Sequence, residues 1–271
     1  MNSRREFLTK TLALGAFAGI SSKVKANLFS SETKPIPSLK GRKVLFTFGG
    51  WDGHEPQKYV DFLTPWIKSE GAEVIVSPNL EPYADKSLMS TIDLVIQIFT
   101  MSSITKEQEA GLLEAVEKNG TGLAGWHGGL CDAFRSNVDY EYMTGGQWVA
   151  HPGNYVDYEV NIIDHKDEVT KGLKDFAMHS EQYYMHVDPN VKVLATTRFN
   201  GNVHYWIDGC VMPVAWKKFH GKGRIFYTSI GHNLSHISEK PDAMQLLKRG
   251  ICWASASKYE PAEKWVSPVY K

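Results

Sequence analysis

The chain has 271 residues, enough to bury one large core, and its length suits one α/β domain better than two lean ones. Thirty basic residues against thirty acidic ones leave no formal net charge, and no local basic stripe breaks that balance. Nucleic acid and anionic membrane surfaces are therefore excluded as electrostatically recruited partners.

In chain order, Ser3-Arg4-Arg5-Glu6-Phe7-Leu8-Thr9-Lys10 is a twin-arginine pattern, followed by an apolar run from Thr11 to Ile20. That run is too brief for a permanent bilayer span. Val24-Lys25-Ala26 supplies small residues at a cleavage spacing, so the reading predicts a signal peptide over 1–26 and a mature chain beginning near Asn27. It implies export to the periplasm through the twin-arginine route and no stable membrane insertion after removal of the signal. Residues 27–41 are rich in Ser, Pro and Lys without apolar period and read as a linker; one domain is expected over 42–271.

Lys43 to Phe48, Glu73 to Val76, Asp93 to Thr100 and Thr121 to Ala124 are near-continuous apolar runs that end in glycine, proline or serine. Such runs fit strands covered on both faces. Gln57 to Glu70 and Lys106 to Lys118 carry apolar residues at helical spacing between them, so the alternation predicts a mainly parallel sheet with right-handed crossovers. The second half is less regular. Tyr155 to Ile163 and Val191 to Arg198 read as strands, and Val211 to Trp216 with Arg224 to Ser229 reads as a hairpin around His220-Gly221-Lys222-Gly223. These are expected to add antiparallel strands at the sheet edge. Asp242 to Ala254 is a final amphipathic helix, and no internal repeat occurs. Cys131, Cys210 and Cys252 have no metal-type spacing and read as small buried residues, with room for one bridge.

Ligands of open parallel sheets bind beyond the carboxyl ends of the strands, and three polar loops fall there: Gly49 to Glu55, Gly125-Trp126-His127-Gly128-Gly129, and Gly231-His232-Asn233. Gly-x-His-x-Gly after an apolar strand has the glycine spacing of a nucleophile elbow, but the elbow holds His127. An imidazole replaces a serine or cysteine poorly in acyl transfer, which argues against ordinary amidase or protease chemistry and leaves acid-base work, metal ligation or ligand binding.

Four ordered blocks carry a resemblance: Gly125 to Gly129; Gly145-Gly146-Gln147-Trp148-Val149-Ala150-His151-Pro152; Ser180-Glu181-Gln182-Tyr183-Tyr184; and Pro213 to Trp216 with Gly221 to Arg224 and Gly231-His232. Over Arg42 to Ala256 the chain resembles the ThuA-like proteins, associated with trehalose utilisation. The resemblance implies a flavodoxin-like three-layer sandwich similar to class I glutamine amidotransferases, with His127 where those enzymes carry cysteine. It implies a sugar, disaccharide or keto-sugar as substrate.

On the residues themselves, Glu181 lies in an aromatic stretch where desolvation would raise its pKa toward the range of a general acid or base. Together with the resemblance, which singles out the block around Glu181 and places His232 where the amidotransferases carry their catalytic histidine, Glu181, His127 and His232 are the expected catalytic residues. His127, His151 and His232 are the expected ligands of a divalent ion, zinc first, although no close pair unites them in sequence. Asp52, His54, Trp126, His151 and Tyr183 are the expected substrate contacts, with helix capping by Asp52 or His54 ahead of Pro56 as the plainer reading. His236 could share a face with His232, and Cys131 reads as a buried helix cysteine. The expected partner is a small carbohydrate. A non-catalytic periplasmic sugar-binding or accessory protein is the alternative, as is a scaffold that self-associates through exposed aromatics.

Overall fold

Apolar side chains alternate between two faces along the central strands, and that alternation builds the layers. The computed structural model describes residues 34–263; the predicted signal peptide lies outside them. In β1 (Lys43–Gly50), Val44 and Phe46 join one core while Leu45 joins the other. β2 (Glu73–Ser77) flanks β1, β3 (Leu94–Thr100) sends Leu94, Ile96 and Ile98 one way and Val95 and Phe99 the other, and β4 (Gly122–Trp126) divides likewise. Period-two alternation with both faces apolar is what a sheet between two helical layers requires.

One layer is α1 (Pro56–Ser69), whose Tyr59, Val60, Leu63 and Ile67 are buried and which starts with proline, whose fixed φ suits a first helical turn. α2 (Lys86–Thr91) and α3 (Lys106–Glu117) lie on the other face, α3 opened by a capping box between Thr105 and Gln108. Truncating Leu63 to alanine would cost about 2–5 kcal/mol, because the lost burial leaves a cavity. The expected linker contributes more than reach: Leu39 is fully buried and Ile36 packs on the same core, so the domain's packing begins ahead of Arg42.

After β4 come two short helices, α4 (Gly128–Cys131) and α5 (Val138–Thr144), then β5 (Gly146–Ala150), β6 (Tyr155–Ile162), β7 (Phe176–Glu181), β8 (Tyr184–Val187) and β9 (Lys192–Arg198). The hairpin β10 (Val211–His220) and β11 (Gly223–Thr228) follows, then α6 (Leu234–Ser238) and α7 (Pro241–Ser255). α7 covers the α1 face. The main sheet runs β2-β1-β3-β4-β11-β10-β9-β6-β7, parallel through its first five strands and antiparallel through the rest. Its parallel part has the flavodoxin-like order, so the expected sandwich with added antiparallel strands is present. The change of direction has a local cause: Gly221 (φ 57) and Lys222 connect β10 to β11, and a two-residue turn can only join antiparallel neighbours. β5 and β8 form a separate pair.

In the antiparallel part Lys217 is buried but bonded to Asp167 and Glu168, which keeps its charge compensated. The cysteines are all free, so the allowance for a bridge fails; Cys131 and Cys252 are buried as expected, whereas Cys210 is half-buried. Among the described residues no helix is long and apolar enough to cross a membrane.

Candidate functional site

Four strand ends of the parallel half meet at one place. His54 follows β1 in a 3-10 turn (Asp52–His54), Thr100 ends β3, His127 follows β4, and His232 follows β11. The point lies beside the switch between β1 and β3, where loops of a doubly wound sheet diverge and leave a crevice. Glu181, the last residue of β7, reaches the same point from the antiparallel side.

His127 sits in the predicted elbow with φ 49 and ψ −142, a conformation that costs a non-glycine residue about 1–3 kcal/mol and needs the surroundings to hold it. The peptide N–H of His127 donates to the Thr228 carbonyl at 2.8 Å, and the Tyr227 hydroxyl donates to the His127 carbonyl at 3.1 Å. The glycine at 128 is a steric need: a Cβ there would lie 2.4 Å from Cε1 of His54. At Gly50 (φ 75) a Cβ would lie 2.0 Å from the Thr100 carbonyl oxygen, so glycine lets the β1 loop pass close to β3.

The ligand-type atoms of His54, His127, Glu181 and His232 all lie within 4.8 Å of one another, and all four residues are buried. His127 Nδ1–H donates to the Ser229 carbonyl at 2.7 Å, which turns Nε2 toward Glu181 Oε2 at 3.1 Å. His232 Nδ1 stands 3.1 Å from the same oxygen but out of line for a hydrogen bond. His54 Nδ1 is 2.8 Å from the Thr100 hydroxyl, leaving its other ring nitrogen to the cluster. His127 also stacks on Tyr183, ring centroids 4.0 Å apart.

Burial and the neighbouring imidazoles push His54 down to about 2, and burial holds His127 below the ordinary histidine value despite Glu181. Burial alone would raise Glu181; the His127 and His232 imidazoles beside it outweigh burial and hold the carboxyl well below its usual range. This corrects the expectation of a raised Glu181 pKa: the group is an ionised carboxylate, suited to bind a cation and unsuited to serve as a general acid. It faces a neutral imidazole whose only N–H is spent on Ser229. Two lone pairs 3.1 Å apart repel unless a proton or a cation lies between them.

The expected residues do not all converge. His127, His232 and Glu181 come together, and His54, expected as a substrate contact, joins them in the ligand cluster. His151 stands at the edge, its Nε2 3.8 Å from Glu181 Oε1 and its side chain 30 % exposed, so it is outside the tight set it was expected to share with His127 and His232. Tyr183 is buried against His127 and orients it. Trp126 does not line the site: it is fully buried, packed on Phe46 and Tyr59, because the strand pleat that lifts His127 over the sheet turns its predecessor into the core. Asp52 is exposed and outside the cluster, and neither it nor His54 caps α1, whose N-cap is Glu55. His236 stacks with His232, its Nδ1 2.8 Å from the Ser180 hydroxyl.

Three positioning groups had no sequence signal. Thr100 sets the His54 ring, the Ser229 carbonyl sets the His127 tautomer, and the Tyr59 hydroxyl donates to the carbonyls of Gly231 (2.7 Å) and Asn233 (3.0 Å), tying down the loop that carries His232. Glu55 adds a bond from the Leu234 N–H at 2.9 Å.

No curated protein matches the chain in sequence. Among solved structures it is similar to a ThuA-like protein from Bacteroides uniformis ATCC 8492, with 16 % identity and TM-score 0.65 over 80 % of this chain and 92 % of that one. A ThuA-like protein from Parabacteroides merdae ATCC 43184 gives 21 % identity and TM-score 0.63 over 83 % and 93 %. A cytoplasmic protein of Salmonella typhimurium LT2 gives 13 % and 0.54 over 79 % and 98 %. These likenesses establish the shared fold. The family model described as trehalose utilisation matches residues 43–254, which include every residue of the histidine–glutamate cluster, and the chain therefore belongs to the ThuA family.

Proposed function

We propose that the chain is an exported carbohydrate-processing enzyme, acting on a sugar, disaccharide or keto-sugar at a metal-assisted centre that needs no cysteine nucleophile. The observation that carries this reading is the convergence of His54, His127, His232 and Glu181, with a buried imidazole and a carboxylate facing each other as acceptors. Neutral imidazoles and a carboxylate are the donors that zinc takes, and the carboxylate and histidine atoms are spaced for one ion after small side-chain movements. A divalent ion held there would polarise a carbonyl or activate water.

The chain's own groups divide the remaining work. Glu181 Oε2 is turned toward His127 and His232, so Oε1 is the atom that takes a proton from the substrate, and His151, 3.8 Å from it and partly open to solvent, passes that proton outward. The elbow, the Ser229 carbonyl and the Tyr183 ring keep His127 fixed while this occurs. Export is supported by the twin-arginine pattern of Ser3 to Lys10.

Metal content of the purified protein tests the centre. About one zinc per chain is expected in the natural protein and in His151→Ala, and its loss in His54→Ala and His127→Ala. Equal zinc in all four proteins would remove the ligand assignment.

A further inference from the structure

A second concavity begins where the strands of the centre end. It has a volume of about 270 Å³ and is lined by Pro152, Asp157, Gln182, Asn200, Asn202 and His204, among others. Pro152 follows His151 and Gln182 follows Glu181, while Tyr155, two residues before Asp157, is paired in register with Glu181. The cleft and the centre thus share three chain segments.

Its chemistry is specific. The lining contains no lysine or arginine, so it offers nothing to a phosphate or carboxylate, and instead presents amides, one carboxylate and an imidazole, the mixed donors and acceptors that match hydroxyl groups. The Gln182 amide is fixed by bonds to the Thr197 hydroxyl (2.8 Å) and the Arg198 carbonyl (3.2 Å). Beside these groups the loop after β9 carries Tyr205 and Trp206, which are 81 % and 67 % exposed. Trp206 stacks on His204 at 4.5 Å with 17° between the ring planes, so one face of the indole is braced and the other is left to solvent. Two adjacent large aromatics exposed on one turn form an apolar patch of the kind that marks a binding site, and a flat braced indole suits the apolar face of a pyranose.

We propose that this cleft, rimmed by Trp206, is a docking subsite for a neutral sugar ring, so that the substrate is a glycoside of at least two rings with its reacting ring at the histidine–glutamate centre. The second clause rests on the carbohydrate reading given above; the subsite itself does not depend on the metal.

Titration calorimetry on the full chain with trehalose and with glucose tests it. The natural protein should bind trehalose about tenfold more tightly than glucose, the increment of roughly one stacked ring. Trp206→Ala should erase that margin, leaving glucose affinity and zinc content unchanged, and Trp206→Phe should restore most of it. A margin that persists in Trp206→Ala, no margin or no sugar binding in the natural protein, or a Trp206→Ala variant that changes only the oligomeric state would overturn the subsite. Normal zinc content with no margin sinks the subsite alone; a margin lost in Trp206→Ala from a protein that never held zinc sinks the metal centre alone.

Discussion

The parallel and antiparallel halves of the sheet contribute different things to one site. The parallel half supplies His54, His127 and His232 from loops at its strand ends, each tied to the scaffold by Thr100, Ser229 and Tyr59. The antiparallel half supplies the charge, Glu181, and the more exposed His151 comes from the end of the separate β5–β8 pair. On the reading proposed above, the preorganised imidazoles hold an ion, and the carboxylate, which faces the same ion, also does the reacting. Changes in the parallel half should therefore lower metal affinity, and changes in the antiparallel half should lower turnover.

The sharpest way to break that division is Glu181→Gln, which keeps shape and removes the proton acceptor. Turnover should fall by roughly 10²–10⁴, the usual worth of a positioned base, with sugar binding retained. Product formation from trehalose, other disaccharides and their keto derivatives is the measurement. A variant as active as the natural protein would make the antiparallel half a support only.

Thr100→Val probes the other half. The hydroxyl fixes one ring nitrogen of His54, and loss of such an outer partner lowers metal affinity about 10–100-fold. Competition with a chelator should show that fall without loss of fold. An unchanged affinity would mean that the packing of His54 between Trp51 and His127 orients the ring unaided.

The two halves also differed in how much their residues disclosed in sequence. The strands and long helices of the parallel half were legible because each buries both faces or one stripe, and the three loop histidines followed from where ligands bind in such sheets. β7 and β8 were missed because four- to six-residue antiparallel strands alternate too briefly to stand out, and Glu181 was found only through the family pattern around it. His54 was seen as a contact and not as a ligand, since its approach to His127 depends on the absent side chain at Gly128, a three-dimensional fact. The Glu181 pKa had the wrong expected direction because desolvation was visible in the aromatic neighbours, whereas the opposing imidazoles come from loops far away in the chain.

Acidity separates the halves more gently. In metal-free protein His54 and His127 stay neutral because burial penalises their charged forms. An unfolded histidine gains a proton below about pH 6.5, so beneath that pH the unfolded chain binds more protons than the folded one. Stability is then full above pH 6.5 and declines as pH falls, for His54 toward about 2 and by up to ~1.4 kcal/mol per pH unit, with a loss of the same sign from His127. Glu181, whose carboxyl is depressed, adds a loss of the same sign below its ordinary range. The urea midpoint of metal-free protein should drop between pH 7 and pH 5.5. His54→Gln should flatten that dependence; an equal drop in the variant would assign it elsewhere.

The smallest expected effect concerns Cys131, which lies four residues beyond His127 in the short helix after the elbow. It is the one thiol near the position where a nucleophile would act. Burial pushes this thiol well above the ordinary cysteine value, so at neutral pH it carries no appreciable thiolate, the form that attacks carbonyls. The residue belongs to the buried core on the α3 face of the sheet, and its role is volume. Cys131→Ala should cost about 1 kcal/mol of stability, as a small core truncation does, and leave turnover within about twofold. Slow labelling by iodoacetamide in the folded protein is the accompanying expectation. Loss of turnover in Cys131→Ala with an unchanged melting temperature would return the chemistry to sulfur and leave His127 as its base.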